Sequence, residues 1–106
     1  MSACAAALAL ALAVTAFNAS AQNAYPNKSI RIVVPFPPGG STDFLARGIG
    51  NKITAAWGQQ VVIDNRGGAA GILATDIVAK AAPDGYTLLM NAISHASNAS
   101  LYSKIP

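Results

Sequence analysis

The sequence predicts an α/β chain, ordered β-α-β-α-β, on a parallel three-stranded sheet. Three features carry that reading. Short, mostly apolar runs occur three times, the first of them β-branched and the second without polar alternation, which suits strands covered on both faces. Between them apolar residues recur at helical spacing, and each segment is closed by proline, glycine or Asn/Asp turn chemistry.

After a polar lead, Gln22 to Asn27, the run Ile30-Arg31-Ile32-Val33-Val34 lies between Pro26 and Pro35 and reads as the first strand. Asp43 to Trp57 sets Leu45, Ile49, Ile53 and Ala56 on one stripe of an amphipathic helix, weakened by Gly48 and Gly50 and stopped by Gly58. Val61-Val62-Ile63 forms the second strand, ended by Asn65-Arg66-Gly67-Gly68. From Gly71 to Ala82, Leu73, Ile77, Val78 and Ala81 again keep helical spacing, until Pro83-Asp84-Gly85 breaks it. Thr87-Leu88-Leu89-Met90 is the third strand. Right-handed crossovers then give a parallel layer whose economical strand order is 2-1-3. In that order a crevice opens beyond the C-terminal ends of strands 1 and 3, bordered by Phe36 to Thr42 and Asn91 to Ser100.

At 106 residues the chain is in the range of one domain. Its start has the form of a cleaved signal: an uncharged Ala/Leu-rich run from Ala5 to Phe17, then Asn18-Ala19-Ser20-Ala21 with small-x-small spacing. The run is shorter than the ~20 residues that span a bilayer, so after cleavage no membrane-spanning segment is expected. Residues 1–21 are assigned as signal and 22–106 as the folded part, although no Lys or Arg precedes the apolar run. Cys4 falls in the signal, which removes thiol chemistry, disulfides and Cys-based metal sites from the folded part. The net charge of +3 is scattered and forms no basic stripe, which argues weakly for anionic ligands and against nucleic acid. A layer of three strands with open edges, in a size class that buries only ~60% of its unfolded surface, is expected to continue in further chain.

The first candidate site is the loop Pro37-Pro38-Gly39-Gly40-Ser41-Thr42-Asp43 between strand 1 and the first helix. Free N–H groups and the positive end of the helix dipole converge there, and glycines let an anion approach the main chain. The plainer alternative is a tight βα turn in which Ser41 or Thr42 caps the helix. Asp43 is read first as an internal cap, because its charge suits a helix N-terminus and repels an anion. A second glycine loop, Asn65 to Gly71, lacks both dinucleotide and P-loop spacing, and its Arg66 reads more readily as a solvated turn residue than as a ligand partner. In the third loop Ser94, His95 and Asn98 are ligand-facing candidates on the crevice side. Ser94 and His95 are adjacent on what reads as an extended segment and point apart, so they make no dyad, and no Gly-x-Ser-x-Gly elbow is present. One histidine with scattered Asp43, Asp64, Asp76 and Asp84 supports neither a zinc site nor a paired-carboxylate mechanism.

Tyr25-Pro26, the run from Ile30 to Asp43, Asp64-Asn65-Arg66, Ala82-Pro83-Asp84-Gly85-Tyr86-Thr87-Leu88 and His95 together resemble the Bug receptors, the substrate-binding proteins of tripartite tricarboxylate transporters. The resemblance implies a periplasmic-binding-protein-like fold of type II, with this chain as the N-terminal part of lobe one. It also implies a periplasmic receptor, not an enzyme, that captures a small carboxylate for membrane permease subunits without a cofactor. Pro38, Gly39, Gly40, Ser41, Thr42 and Asp43 match the family's first pincer loop, and Ser94, His95 and Asn98 match its Thr-His-x-x-Asn segment. Gly67 and Ala70 stand where the family usually has proline and glycine, and Ser97 and Ala99 replace its usual Ile and Pro. Family members are roughly three times as long. Two rivals remain: a truncated product without function, and, more distantly, a nucleotide- or phosphate-using enzyme on the same layer. Exported protein is expected to begin at Gln22, which N-terminal sequencing of the periplasmic product checks; an intact Met1 contradicts the signal assignment.

Overall fold

A computed structural model of the chain describes residues 24–104, so the expected signal segment lies outside the described residues. In order the elements are β1 (Ile30–Val34), α1 (Ser41–Trp57), β2 (Val61–Asn65), a 3₁₀ turn (Ala69–Gly71), α2 (Ile72–Ala79), β3 (Thr87–Leu89) and α3 (Ser94–Leu101). The strands form one parallel sheet in the order β2-β1-β3, the economical order expected from the sequence. Ile30 to Val34 pair in register with Val61 to Asn65, and Arg31 to Val33 pair with Thr87 to Leu89. Only β1 has a neighbour on both sides. Its Ile30, Ile32, Val33 and Val34 are buried, and full burial of each such side chain is worth about 2 kcal/mol, so the sheet hangs on this strand.

α1 lies on the sheet through small residues. Asp43, Ala46 and Gly50 are its buried positions, and Ala46 joins Ile32 and Val34 in the core beside Phe36, Val61, Ile63 and Met90. The stripe with the larger side chains faces outward instead: Leu45 is 57% and Ile49 45% exposed, flanked by Phe44 and Trp57. Periodicity located the helix but favoured the bulkier of two neighbouring stripes. What decides is the close approach to β2, where a Cβ on Gly50 would lie 3.1 Å from Val61 Cγ1. Gly58, at φ 72°, ends the helix as its left-handed cap, its N–H donating to Thr54 O at 2.9 Å.

Two further elements depart from the sequence reading. α2 stops at Ala79, three residues before Ala82: Ala81 N–H turns to Val78 O at 3.1 Å in a tightened last turn, and Pro83 disfavours helical backbone at Ala82. The segment expected as a polar loop, Asn91 to Ser100, contains α3. Its Ala, Ser and Asn residues show no apolar stripe. The helix is held by local bonding, with the Ser97 hydroxyl on Ser94 O, and by Asn98, which is buried and donates to Ala70 O at 3.0 Å. Ser94 and His95 are therefore helical neighbours rather than residues of an extended segment, and at that spacing they still do not face each other.

The two helical glycines have opposite roles. Gly48 has nothing within 4 Å of a built Cβ, whereas Gly50 meets Val61. Gly48→Ala is expected to stabilise by about 1 kcal/mol through helix propensity alone. Gly50→Ala should lose that gain to overpacking and come out neutral or destabilising by about 1–2 kcal/mol. Denaturant unfolding of the two variants checks this.

Candidate functional site

The crevice expected beyond β1 and β3 is present as a cleft of about 390 Å³. Phe36, Pro37, Gly40, Ser41 and Thr42 line it from the loop after β1, and Ala92 lines it from the segment after β3. Three prolines in the loop supply no N–H, and Gly39 takes φ 93°, a left-handed conformation that a residue with a Cβ adopts at a cost.

The N-cap of α1 is Gly40, with no side-chain cap bond. The expectation that Ser41 or Thr42 caps the helix is thus not met. Both hydroxyls sit one and two positions inside the helix, past the place from which a side chain reaches the free amides. The first backbone bond of the helix is Phe44 N–H to Gly40 O at 2.9 Å, so the N–H groups of Ser41, Thr42 and Asp43 have no intrahelical acceptor. The helix therefore presents uncapped donors and two hydroxyl residues to the cleft.

Asp43 does not line that cleft. It is 3% exposed, and each carboxylate oxygen is occupied. One accepts Gly39 N–H at 3.0 Å and Arg47 Nε at 2.9 Å; the other accepts Asn65 Nδ2 at 3.0 Å. The reach back is to Gly39, one residue before the N-cap, so Asp43 ties the helix start to the loop instead of capping the helix as expected from the sequence. The bond from Arg47, then the Gly39 amide and Asn65, lower its pKa to about 2, so it is anionic at neutral pH, with its charge balanced by Arg47. Asn65 also donates to Phe36 O at 3.0 Å.

Beside it, Asp64 gathers two arginines. Arg31 donates through Nε at 2.8 Å and through Nη2, and Arg66 donates through Nε at 2.8 Å. The Arg31 bonds lead in lowering the Asp64 pKa. Arg66 is further fixed by its own N–H on Val34 O at 2.7 Å, so this residue ties β2 to β1 and is absent from the cleft lining.

The other sequence candidates divide. Pro38 and Gly39 are exposed on the loop. Ser94 donates to Asn91 Oδ1 at 3.4 Å. His95 and Asn98 line a different, smaller hollow of about 140 Å³ with Ile72, Thr75 and Ala99. Asn65, Arg47 and Ala92 were not singled out from the sequence as site residues. Asn65 had been read as turn punctuation, and the only signal for Arg47 is its i, i+4 spacing from Asp43 on the predicted helix. Among the described residues no group of three His, Cys, Asp or Glu could hold a metal ion.

A parallel layer whose cleft lies at the switch point, with helix-end amides as its polar lining, is the binding-lobe type of α/β protein rather than a P-loop or dinucleotide fold. The chain belongs to the family described as the tripartite tricarboxylate transporter family receptor, which matches residues 45–106. It is 44% identical over 99 residues to a UPF0065 protein of the tcbD-tcbE intergenic region in a Pseudomonas species, covering 93% of this chain and 30% of that one. It is 49% identical over 84 residues to BugT of Bordetella pertussis, covering 77% and 26%. Among solved structures, MatC of Rhodopseudomonas palustris with bound malate aligns with a TM-score of 0.72 at 40% identity, over 76% of this chain and 28% of that one. The chain thus spans between a quarter and a third of the length of these relatives.

The Asp43 pKa sets a pH dependence. Its folded value lies below the ordinary 3.8, so its contribution is present above pH 3.8 and is lost as pH falls from there to about 2. Acid unfolding of the Asp43→Asn variant is expected to lose part of its slope in that window, with Asp64 and Asp84, also lowered, supplying the remainder. Urea midpoints measured across the window check it.

Proposed function

We propose that this chain forms one wall of a periplasmic receptor that captures a small carboxylate for a tripartite tricarboxylate-type transporter. The observation that carries the reading is the uncapped start of α1: the amides of Ser41, Thr42 and Asp43 precede the first helical bond, beside a cleft that Ser41 and Thr42 line. A carboxylate seated there accepts from fixed N–H donors at the positive end of a 17-residue helix, the arrangement that favours anions. The one acid in the loop supports this use. Asp43 is buried behind the loop and balanced by Arg47, so its charge is largely cancelled where the ligand sits.

In this reading Gly40, Ser41 and Thr42 touch the carboxylate, Pro38 and Gly39 shape the approach, and Asp43 holds the loop. Ser94, His95 and Asn98 lie beside the cleft on the segment after β3, from which Ala92 reaches the lining, and Asn98 fixes that segment to Ala70. Malate bound to MatC supports a di- or monocarboxylate as the ligand class. An opposing jaw would complete the pincer, as this chain spans between a quarter and a third of the length of its relatives. Residues 1–21 serve as the export signal, and 22–106 contribute to lobe one. No bond-breaking step is assigned: Ser94 is hydrogen-bonded to Asn91, and the lone histidine lines a different hollow.

Gly40 offers a clean test. It has φ −80°, and a Cβ there meets nothing closer than Pro37 O at 3.9 Å, so a larger residue fits the backbone while filling the cleft. Malate at about ten times its Kd should stabilise the wild-type chain by about 1.4 kcal/mol, several degrees in Tm, and Gly40→Leu should abolish that shift while leaving the unliganded Tm nearly unchanged. An equal shift in the variant refutes the loop as the carboxylate site.

A further inference from the structure

Asn65 ends β2, outside the cleft lining, yet its side-chain amide reaches both ends of the loop that lines it. Nδ2 donates to Phe36 O at 3.0 Å, where the loop leaves β1, and to Asp43 Oδ1 at 3.0 Å, where it has become helix. The other oxygen of Asp43 takes Gly39 N–H at 3.0 Å, in the middle of the loop. The loop is therefore fixed at its start, middle and end by two side chains, one of them supplied by a neighbouring strand. β1 and β2 pair in register as far as Val34 and Asn65, so the sheet itself sets the position of this amide.

We infer that Asn65 is a positioning residue for ligand capture: acting through Asp43, it holds the Gly39 to Thr42 backbone in the conformation that receives a carboxylate. This inference rests on the carboxylate reading of the cleft. The physical reason is pre-organisation. A glycine pair next to prolines has many accessible conformations, and a ligand that must order them loses affinity by that amount. An amide is the group the place requires, because Phe36 O and Asp43 Oδ1 are both acceptors and one NH₂ carries two donors. A carboxylate in its place would set two like charges in contact, and a leucine would leave both acceptors bare.

The test uses two variants and two readouts on the whole chain. In Asn65→Ala the ¹⁵N relaxation of Gly39, Gly40 and Ser41 should show a disordered loop without ligand, and tartrate affinity should fall about tenfold, well below the melting temperature. Asn65→Asp distinguishes positioning from mere stability. Its new carboxyl faces two acceptors, Phe36 O and Asp43 Oδ1, while Arg47 holds the far oxygen of Asp43; the pair of acceptors favours the protonated form, and only that form donates to Asp43. As pH is lowered from about 7 to about 5, tartrate affinity of this variant should therefore rise several-fold more than that of the wild type, whose amide does not titrate and whose profile is the reference for any effect of His95. An ordered loop and unchanged affinity in Asn65→Ala, or a profile in Asn65→Asp no steeper than that of the wild type, overturns the inference. Should the Ala variant fail to fold, the pH profile of Asn65→Asp decides alone. Absence of tartrate, malate or acetate binding by the wild type overturns the receptor reading, and with it the ligand half of the inference; the relaxation data then still decide whether Asn65 orders the loop.

Discussion

The site depends on one buried anion. Asp43 carries a full negative charge at 3% exposure, a state that is costly unless every lone pair is matched. Three residues from different parts of the chain meet that demand, Gly39 in the loop, Arg47 one turn on and Asn65 at the end of β2, together with the helix start on which Asp43 itself sits. Satisfying one carboxylate therefore fixes where the first loop lies relative to the helix and the second strand. It also keeps the acid out of the cleft lining, so Ser41 and Thr42 border the cleft without a competing charge.

The same economy shapes the layer. β1 is buried along its length and paired on both sides, so the two loops at its C-terminal end and that of β3 come to one edge of the sheet. Gly50 lets α1 approach β2 closely, and its first turn then stands over the ends of the strands. The large apolar side chains of α1 are left outward, lining a concavity of about 520 Å³ that has Lys52 as its one charged residue. Such a surface offers little to orient a charged solute, whereas the smaller cleft at the strand ends offers backbone donors and two hydroxyls.

Much of this was legible in the sequence. Short apolar runs marked the strands, the economical crossover arrangement gave their order, and Pro-Pro-Gly-Gly between strand and helix marked the loop that lines the cleft. Three things were hidden, each for a physical reason. The buried stripe of α1 is made of Asp, Ala and Gly, and apolar periodicity gives such residues no weight. α3 has no apolar stripe and is held by Ser back-bonding and by Asn98 on Ala70, a partner 28 residues away. Asn65 carries an ordinary turn residue type, and its role comes from strand register, which no local pattern displays. Ser41 and Thr42 were expected to cap, and the shift of the cap to Gly40 is what leaves their amides open.

The central claim is that the uncapped first turn of α1 grips a carboxylate. Its most direct test is a residue-resolved amide spectrum of the chain during a malate titration. Ser41 and Thr42 should show the largest shifts and move together along one saturating curve. Shifts confined to the hollow around His95 and Asn98, or spread along the outer face of α1 with Ser41 and Thr42 unmoved, would contradict it.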